Sequence, residues 1–249
     1  MKAMIFAAGL GTRLRPITDT LPKALLPIAG KTLLEWQIDT LRQAGISDIV
    51  INVHHLADQI RRFLIDHENF GCNILISDET AQLLETGGGL RRAAALLGYR
   101  EPILAMNVDI LSTINLHRLI AAHRLDTMAT LVVSRRDTQR YLLFDEHNNL
   151  CGWNNIATGE LRPADRAGQL SDRLSDGTLR RLAFSGMHII SPELFQLMQT
   201  WPERFPIIDF YLTICRQYEI KAYIPQNYRM MDIGKIEHLR EAEAFAQTL

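Results

Sequence analysis

The chain has 249 residues, of which 47% are hydrophobic and 22% are charged, and its formal net charge is −1. This composition is ordinary for a globular protein with a large core, and the near-balanced charge gives no general attraction for nucleic acid or for a membrane surface. The three cysteines lie far apart in the sequence, which argues against a disulfide framework and against a zinc site. No run of the chain approaches the ~20 apolar residues of a membrane span. These features predict a protein of the reducing cytoplasm.

The first half of the chain alternates predicted strands and helices. Short apolar runs predict strands, and apolar residues at helical spacing predict helices. The elements in chain order are strand 4–7, helix 32–45, strand 48–53, helix 55–67, strand 72–77, helix 88–97 and strand 102–107. Strands and helices that alternate at this spacing are typical of βαβ units. The sequence therefore predicts an α/β fold with a doubly wound, mostly parallel central sheet.

The pattern changes after about residue 128. The segments ATLVVS, RYLLFD and LAFSGMHII predict strands with fewer helices between them. Residues 154–180 are rich in Asp, Arg, Gly and Ser, and they predict a long loop that is either functional or only a solvated excursion. A last helix is predicted over 235–248. We therefore expect a single domain over 1–249, with a first half over 1–127 and a β-rich half over 128–249.

The N-terminal segment combines the first strand, a glycine-rich turn and several cations. Gly9 and Gly11 allow a tight turn in which backbone N–H groups can face an anion. Arg13, Arg15 and Lys23 follow at once. Each glycine alone would be an ordinary turn residue and each cation alone a surface charge, but together they predict a polyphosphate site.

Two common phosphate-binding motifs do not fit this segment. The dinucleotide fingerprint needs a third glycine where the chain has Leu14, and Pro16 stands where a helix should begin. This disfavours a nicotinamide-dependent oxidoreductase. A Walker A loop that ended at 30–32 would need its first glycine at Leu25.

The remaining pattern runs from Gly9 to Lys23 as G-x-G-T-R-L-R-P-x-T…P-K. It resembles the signature of the sugar-1-phosphate nucleotidyltransferases. The resemblance implies a Rossmann-like nucleotidyltransferase fold, in which 1–127 binds the nucleotide and 128–249 forms a smaller sugar-binding β region. It also implies catalytic roles for Arg13 and Lys23, and nucleotide contacts from Ala8, Gly9, Gly11 and Thr12.

Two aspartates far apart in the sequence are candidate metal ligands. Asp109 follows strand 102–107 and so lies at the carboxyl edge of the predicted sheet, where open α/β sheets bind ligands. Taken alone, an aspartate there is more often a turn former or a helix cap. Asp232, in the segment MMDIG, would from its position alone cap the helix that begins near Lys235. The family resemblance instead pairs the two aspartates as ligands of Mg²⁺, which needs few protein carboxylates.

The segment LETGGG over 84–89 predicts a close approach of a flat ligand. Three successive glycines cost backbone entropy on folding, so space for a base is one reason for them, and a plain junction between a loop and a helix is the other. The segment resembles that of the uridylyltransferases that act on N-acetylmuramate 1-phosphate. The resemblance implies that the nucleotide contacts Gln82, Thr86, Gly87, Gly88 and Asn107.

The sugar side is less well defined. The resemblance places Gly152 and Gly186 in the sugar-binding region, with Gly186 making room for the sugar. Many members of the family also grip the sugar phosphate with a lysine, but this chain has no lysine between Lys31 and Lys221. The role is therefore vacant or falls to an arginine, with three candidates at Arg135, Arg140 and Arg181.

The resemblance implies a Mg²⁺-dependent enzyme that uses UTP and N-acetylmuramate 1-phosphate. The residues leave open guanylyl or thymidylyl transfer to another sugar 1-phosphate, and also a non-catalytic regulator that binds a nucleotide or a sugar. The presence of Arg13, Lys23, Asp109 and Asp232 argues against the regulator. Nucleic acid and membranes are not expected partners, and the chain is expected to be a monomer or a small homo-oligomer.

Overall fold

A ten-stranded mixed sheet forms the centre of the computed structural model, which describes residues 1–249. Two smaller two-stranded sheets accompany it. The strands are β1 (Lys2–Phe6), β2 (Pro27–Ile28), β3 (Lys31–Thr32), β4 (Asp48–Val53), β5 (Asn73–Asp78), β6 (Ile103–Asn107), β7 (Ile110–Ser112), β8 (Ala129–Ser134), β9 (Arg140–Phe144), β10 (Leu150–Asn155), β11 (Glu160–Arg162), β12 (Arg180–Ile190), β13 (Ile220–Tyr223) and β14 (Met230–Asp232). The α-helices are α1 (Leu33–Gln43), α2 (Ala57–Asp66), α3 (Glu85–Leu97), α4 (Leu116–Ala122), α5 (Ala167–Ser175), α6 (Leu194–Leu197), α7 (Ile207–Ile214) and α8 (Leu239–Ala246).

The strand order of the large sheet is β11-β10-β9-β12-β6-β1-β4-β5, and β12 also pairs with β8, which pairs with β13. Strands β6, β1, β4 and β5 are mutually parallel, whereas β12 runs antiparallel to β6, β8 and β9. The antiparallel pairings gather in the part of the sheet built from the second half of the chain. The predicted α/β fold, with a parallel central sheet and a further β region, is confirmed.

Helices cover both faces of the sheet because residues along the central strand alternate between two cores. In β1, Ala3 and Ile5 belong to a cluster of 31 buried residues that also holds residues of α1, α2, α4 and α8. Met4, between them, belongs to a cluster of 26 that holds residues of α3, α6 and α7. Successive side chains of a strand point to opposite faces, so the sheet is doubly wound as predicted. No helix of the chain is long and apolar enough to cross a membrane.

Local sequence signals account for both ends of helix α1. Helix α1 begins after Thr32, whose side chain accepts a hydrogen bond from the Glu35 N–H at 3.1 Å, and it ends just before Gly45, where φ is +75°. Ile38 and Leu41 bury its apolar stripe.

Three predicted boundaries differ from the structure. Helix α3 begins at Glu85 and so includes all three glycines of the LETGGG segment in its first turns. Residues 154–180 are not a long loop, since they contain the end of β10, all of β11 and helix α5. Helix α8 spans Leu239–Ala246 and is shorter than the predicted 235–248.

Parallel pairing brings two distant segments together at one edge of the sheet. The register aligns Phe6, at the end of β1, with Asn107, at the end of β6. The Val108 N–H continues this pairing by donating to the Phe6 carbonyl at 3.1 Å. The glycine-rich turn and the segment that carries Asp109 therefore leave the sheet side by side.

Candidate active site

A cavity of about 390 Å³ opens at the carboxyl ends of β1 and β6. We call it the first cavity. It contains six of the nine predicted nucleotide-binding residues, both predicted catalytic residues and Asp109. Its lining residues are Phe6, Ala7, Ala8, Gly9, Gly11, Thr12, Arg13, Lys23, Asn52, Leu83, Glu85, Thr86, Asn107, Val108, Asp109 and Gly234.

The glycine-rich turn owes its shape to Gly11. This residue has φ +62°, and a Cβ there would lie 2.8 Å from Cγ2 of Thr18. The Thr18 hydroxyl donates to the Gly11 carbonyl at 2.8 Å and so fixes the turn from beneath. A side chain at Gly9 would meet nothing within 4 Å, so Gly9 leaves one side of the loop open.

Asp109 and Asp232 are neighbours in space because β7 and β14 pair antiparallel. The register aligns Asp232 with Ile110, and the Ile233 N–H donates to the Asp109 carbonyl at 2.9 Å. Lys23 forms an ion pair with the Asp109 carboxylate, and both side chains are largely buried. The structure therefore brings together the two predicted metal ligands and one of the predicted catalytic cations.

The groups around Asp232 shift the pKa of its carboxyl group. Although much of the side chain is exposed, protein atoms around its carboxyl group raise the pKa above the ordinary 3.8, and the Asp109 carboxylate raises it further. Lys23, Arg13 and Arg136 act in the opposite direction. Two carboxylates that repel each other and that offer only oxygen donors form a suitable site for a hard divalent cation.

Arg13 lies at the same edge, against Gly234. A Cβ at Gly234 would be 2.9 Å from Nη2 of Arg13 and 2.9 Å from Oδ1 of Asp232. A side chain at this position would have to displace the guanidinium of Arg13 or the carboxylate of Asp232. The sequence predicted no role for Gly234, although the glycine stands two residues after Asp232 in the MMDIG segment.

The glycines at 87 and 88 pack closely against neighbouring backbone, so packing is a reason for them besides the predicted approach of a base. A Cβ at Gly87 would be 2.8 Å from the Phe205 carbonyl oxygen, and a Cβ at Gly88 would overlap the Glu203 carbonyl oxygen. The Gly87 N–H donates to the Phe205 carbonyl at 2.8 Å. Both glycines are buried and do not line the first cavity, because the start of α3 lies directly against the 203–205 backbone.

Thr86 and Gln82 are the other predicted nucleotide contacts in or near this segment, and only Thr86 lines the first cavity. Thr86 lines the first cavity, and its hydroxyl accepts a hydrogen bond from the Ile207 N–H at 2.9 Å, which fixes the start of α7. Gln82 is exposed and does not line the first cavity, because it lies in the turn ahead of α3.

A buried polar network beneath the first cavity escaped the sequence analysis. Asn52, on β4, accepts a hydrogen bond from the Ala7 N–H at 2.7 Å and donates to Glu79 at 2.8 Å. Glu79 also accepts from the Leu84 N–H at 2.9 Å. The network thus ties the glycine-rich turn to the start of α3. The available signal was a polar residue inside the otherwise apolar strand DIVINV.

A second cavity, of about 510 Å³, lies over strands β9 to β12 and beside the start of α7. Its polar lining is rich in arginine, with Glu160 and Asp209 as the carboxylates. It is lined by Arg136, Thr138, Arg140, Tyr141, Leu142, Trp153, Asn155, Glu160, Arg162, Phe184, Pro206, Ile208 and Asp209.

The predicted sugar-side glycines line neither cavity. Gly186 has φ +68°, and a Cβ there would be 2.6 Å from Nδ2 of Asn107. A Cβ at Gly152 would be 2.8 Å from the Arg162 carbonyl oxygen and 2.8 Å from Cδ1 of Leu170. These glycines therefore make room for neighbouring protein groups, and a contact of Gly186 with a sugar stays a prediction.

Of the three candidate arginines, only Arg140 lines the second cavity. Arg135 is exposed outside it, and Nε of Arg181 donates to Asn154 at 2.8 Å at a separate depression. Arg136, which the sequence analysis did not name, also lines the second cavity. Its Nη2 donates to the Phe184 carbonyl at 3.1 Å, whereas its buried Nε has no partner.

Arg136 lines the second cavity and also acts electrostatically on Asp232, so it faces both regions of the site. The sequence feature that could have indicated Arg136 as a site residue is the pair Arg135-Arg136 directly after strand β8. Which of two adjacent arginines turns inward could not be decided from their order alone.

Comparison with known proteins agrees with this architecture. The family model for nucleotidyl transferases matches residues 2–248. The chain is 34% identical over 249 residues to an N-acetylmuramate alpha-1-phosphate uridylyltransferase of Neisseria meningitidis serogroup B, covering 99% of this chain and 98% of that protein. It is 48% identical over 109 residues to the protein of the same name in Caulobacter vibrioides, covering 43% and 45% of the two chains.

A solved structure supports the fold independently. A protein from Bacillus anthracis, named as a glucose-1-phosphate thymidylyltransferase, superposes with a TM-score of 0.81 at 16% identity, covering 100% of this chain and 96% of that one. The family model over residues 2–248 confirms the resemblance that the N-terminal signature indicated. The chain belongs to the nucleotidyl transferase family.

Proposed function

We propose that the protein transfers a uridylyl group from UTP to N-acetylmuramate 1-phosphate and releases pyrophosphate. The observation that carries this proposal is the convergence of Arg13, Lys23, Asp109 and Asp232 at one edge of the sheet, where they adjoin a cavity beside a glycine-rich turn. The choice of base and sugar is supported by the names of the relatives in Neisseria and Caulobacter.

The reaction needs positioning more than proton transfer. The second pKa of a phosphate monoester is about 6, so the sugar phosphate is already a dianion at neutral pH and needs no general base. One of its oxygens attacks the α-phosphorus of the triphosphate, and the bond from that phosphorus to the oxygen of the β-phosphate breaks as pyrophosphate leaves. The main obstacle is repulsion between two polyanions, which fixed cations and in-line placement reduce.

The glycine-rich turn and two cations would hold the triphosphate. Gly9 leaves one side of the turn open, so backbone N–H groups there can approach phosphate oxygens. Arg13 and Lys23 line the same cavity and would stabilise the charge that develops on the departing pyrophosphate.

Asp109 and Asp232 would hold Mg²⁺. When bound, the ion would neutralise phosphate charge and polarise the α-phosphate. No group of three or more metal-binding side chains is present in the chain. Two carboxylates suffice because Mg²⁺ commonly completes its shell with water and substrate phosphate oxygens. The ion pair between Lys23 and Asp109 would keep the lysine next to that shell.

Arg136 would hold the acceptor phosphate. It is a cation with no carboxylate partner, it lines the second cavity and acts electrostatically on Asp232, and its Nε is buried without a hydrogen bond. A buried guanidinium nitrogen without a partner is costly, and a phosphate oxygen would satisfy it. The sugar would then occupy the second cavity.

A substrate panel tests the proposed function directly. Four nucleoside triphosphates and dTTP would each be combined with the 1-phosphates of N-acetylmuramate, N-acetylglucosamine, glucose and mannose, with and without Mg²⁺, and pyrophosphate release would be measured. We expect the highest kcat/KM for UTP with N-acetylmuramate 1-phosphate, and only with the metal. A preference for GTP or for another sugar would overturn the substrate assignment. Pyrophosphate release from no pair would overturn the enzymatic function.

The cysteines and the proposed substrate indicate the cellular compartment of the enzyme. Its three cysteines are free thiols, which is typical of a reducing compartment, and UTP is a metabolite of the cytoplasm. We therefore propose a cytoplasmic enzyme.

A further inference from the structure

The second cavity presents two guanidinium groups that no carboxylate of the protein neutralises. Three arginines line it, at positions 136, 140 and 162, against two carboxylates. Both carboxylates form ion pairs with Arg162, which lies 2.7 Å from Glu160 and 3.1 Å from Asp209. The guanidinium groups of Arg136 and Arg140 therefore remain without an acidic partner.

Arg140 stands at a defined place on the floor of this cavity. It is the first residue of β9, and the register with β10 puts it beside Asn155, and Leu142 beside Trp153. The next pair across is Trp153 with Arg162 of β11, whose guanidinium lies 4.6 Å from the indole ring centre. Arg140 thus lies on the same sheet face as the aromatic floor, and its side chain forms no ion pair within the protein.

We propose that Arg140 binds a second anionic group on the sugar, so that the second cavity selects sugar 1-phosphates that also carry a carboxylate. The inference rests on the proposed function, because it assumes that the acceptor phosphate lies at Arg136. N-acetylmuramate 1-phosphate has the required chemistry, since its lactyl ether ends in a carboxylate. A guanidinium matches a planar carboxylate with two parallel hydrogen bonds, which an ordinary sugar hydroxyl cannot accept.

The test compares two ligands that differ in one charge. The probes are N-acetylmuramate 1-phosphate and the methyl ester of its lactyl carboxylate, and their dissociation constants would be measured by calorimetry on the full-length protein. The variants are Arg140→Gln, Arg140→Lys and a control at an exposed arginine of helix α3, Arg92→Gln. Melting temperatures would establish that each variant is folded.

The wild-type protein is expected to bind the acid about tenfold to a hundredfold more tightly than the ester, which is the range for a charge-assisted hydrogen bond. Arg140→Gln should abolish this preference, Arg140→Lys should keep part of it, and Arg92→Gln should keep all of it. Equal binding of acid and ester by the wild type, or an undiminished preference in Arg140→Gln, would overturn the inference.

A failure of the proposed function would give a different result from a failure of the role proposed for Arg140. In that case the wild-type protein would release no pyrophosphate from UTP and N-acetylmuramate 1-phosphate in the substrate panel. If pyrophosphate is released but the ester binds as well as the acid, the proposed function stands and the role of Arg140 is wrong.

Discussion

Replacing Gly88 by alanine should destabilise the fold before it affects nucleotide binding. A Cβ at this position would overlap the Glu203 carbonyl oxygen, well inside the 3.0 Å below which real Cβ contacts are essentially never found. It would also lie 3.1 Å from Cβ of Leu84. The obstructing oxygen belongs to the backbone, so no side-chain rotation can relieve the overlap.

The expected magnitude follows from two opposing terms. Overpacking of this kind costs up to about 3 kcal/mol, whereas alanine in place of a helical glycine gains about 1 kcal/mol. The net loss is about 2 kcal/mol, and at about 2–4 °C for each kcal/mol in a chain of this size the melting temperature should fall by about 4–8 °C.

A matched control separates packing from helix propensity. Gly168 also lies in a helix, α5, but a Cβ there would meet nothing within 4 Å. Gly168→Ala should therefore gain about 0.5–1 kcal/mol and raise the melting temperature by about 1–4 °C. Both variants would be assayed by thermal unfolding and by the KM for UTP. A Gly88→Ala protein that melts like the wild type but has a raised KM would refute the reasoning and return this glycine to the base site.

Three further outcomes follow from the charged groups. Asp109→Asn and Asp232→Asn should each abolish Mg²⁺-dependent pyrophosphate release while the protein stays folded; near-normal turnover would remove that residue from the metal site. Lys23→Ala should lower kcat by about 10²–10³, more than it changes the KM for the sugar phosphate, and a change confined to that KM would contradict its role at pyrophosphate. Burial lowers the pKa of His188 from 6.5 to about 3, so the unfolded chain takes up this proton first and stability is lost as the pH falls below 6.5. The free energy of unfolding, measured in urea, should fall by up to about 1.4 kcal/mol per pH unit through this histidine, and His188→Gln should have a flatter profile; parallel profiles would show that other groups control the acid side.

The sequence predicted most of the fold because its first half obeys simple rules. Strand 48–53 and the strand ending at Asn107 were placed correctly by their apolar runs, and helix α1 by its apolar spacing and Gly45. Residues 154–180 were misread because their polar composition resembles a loop. Helix α5 buries only Leu170 among its residues, so its apolar stripe was too weak to detect.

The candidate site was predictable where residues act through local chemistry. Gly11 needs a positive φ that its own turn imposes, and Lys23 and Asp109 stand in recognisable motifs. By contrast, the reason for Gly88 lies in the backbone of residue 203, and no local pattern carries that information. Arg136 was missed for the same reason, since only tertiary packing decides which of two neighbouring arginines faces inward.

The pairing of β7 with β14 determines when, during synthesis of the chain, the two aspartates can meet. Asp109 leaves the ribosome more than a hundred residues before Asp232. At about 5–20 residues per second, that separation amounts to several seconds or more of synthesis. During this interval a nascent chain can form the glycine-rich turn and the ion pair of Lys23 with Asp109, but it has no second carboxylate. The two carboxylates come together only when 230–232 pairs with 110–112, so the proposed metal site cannot form before residue 232 has been made.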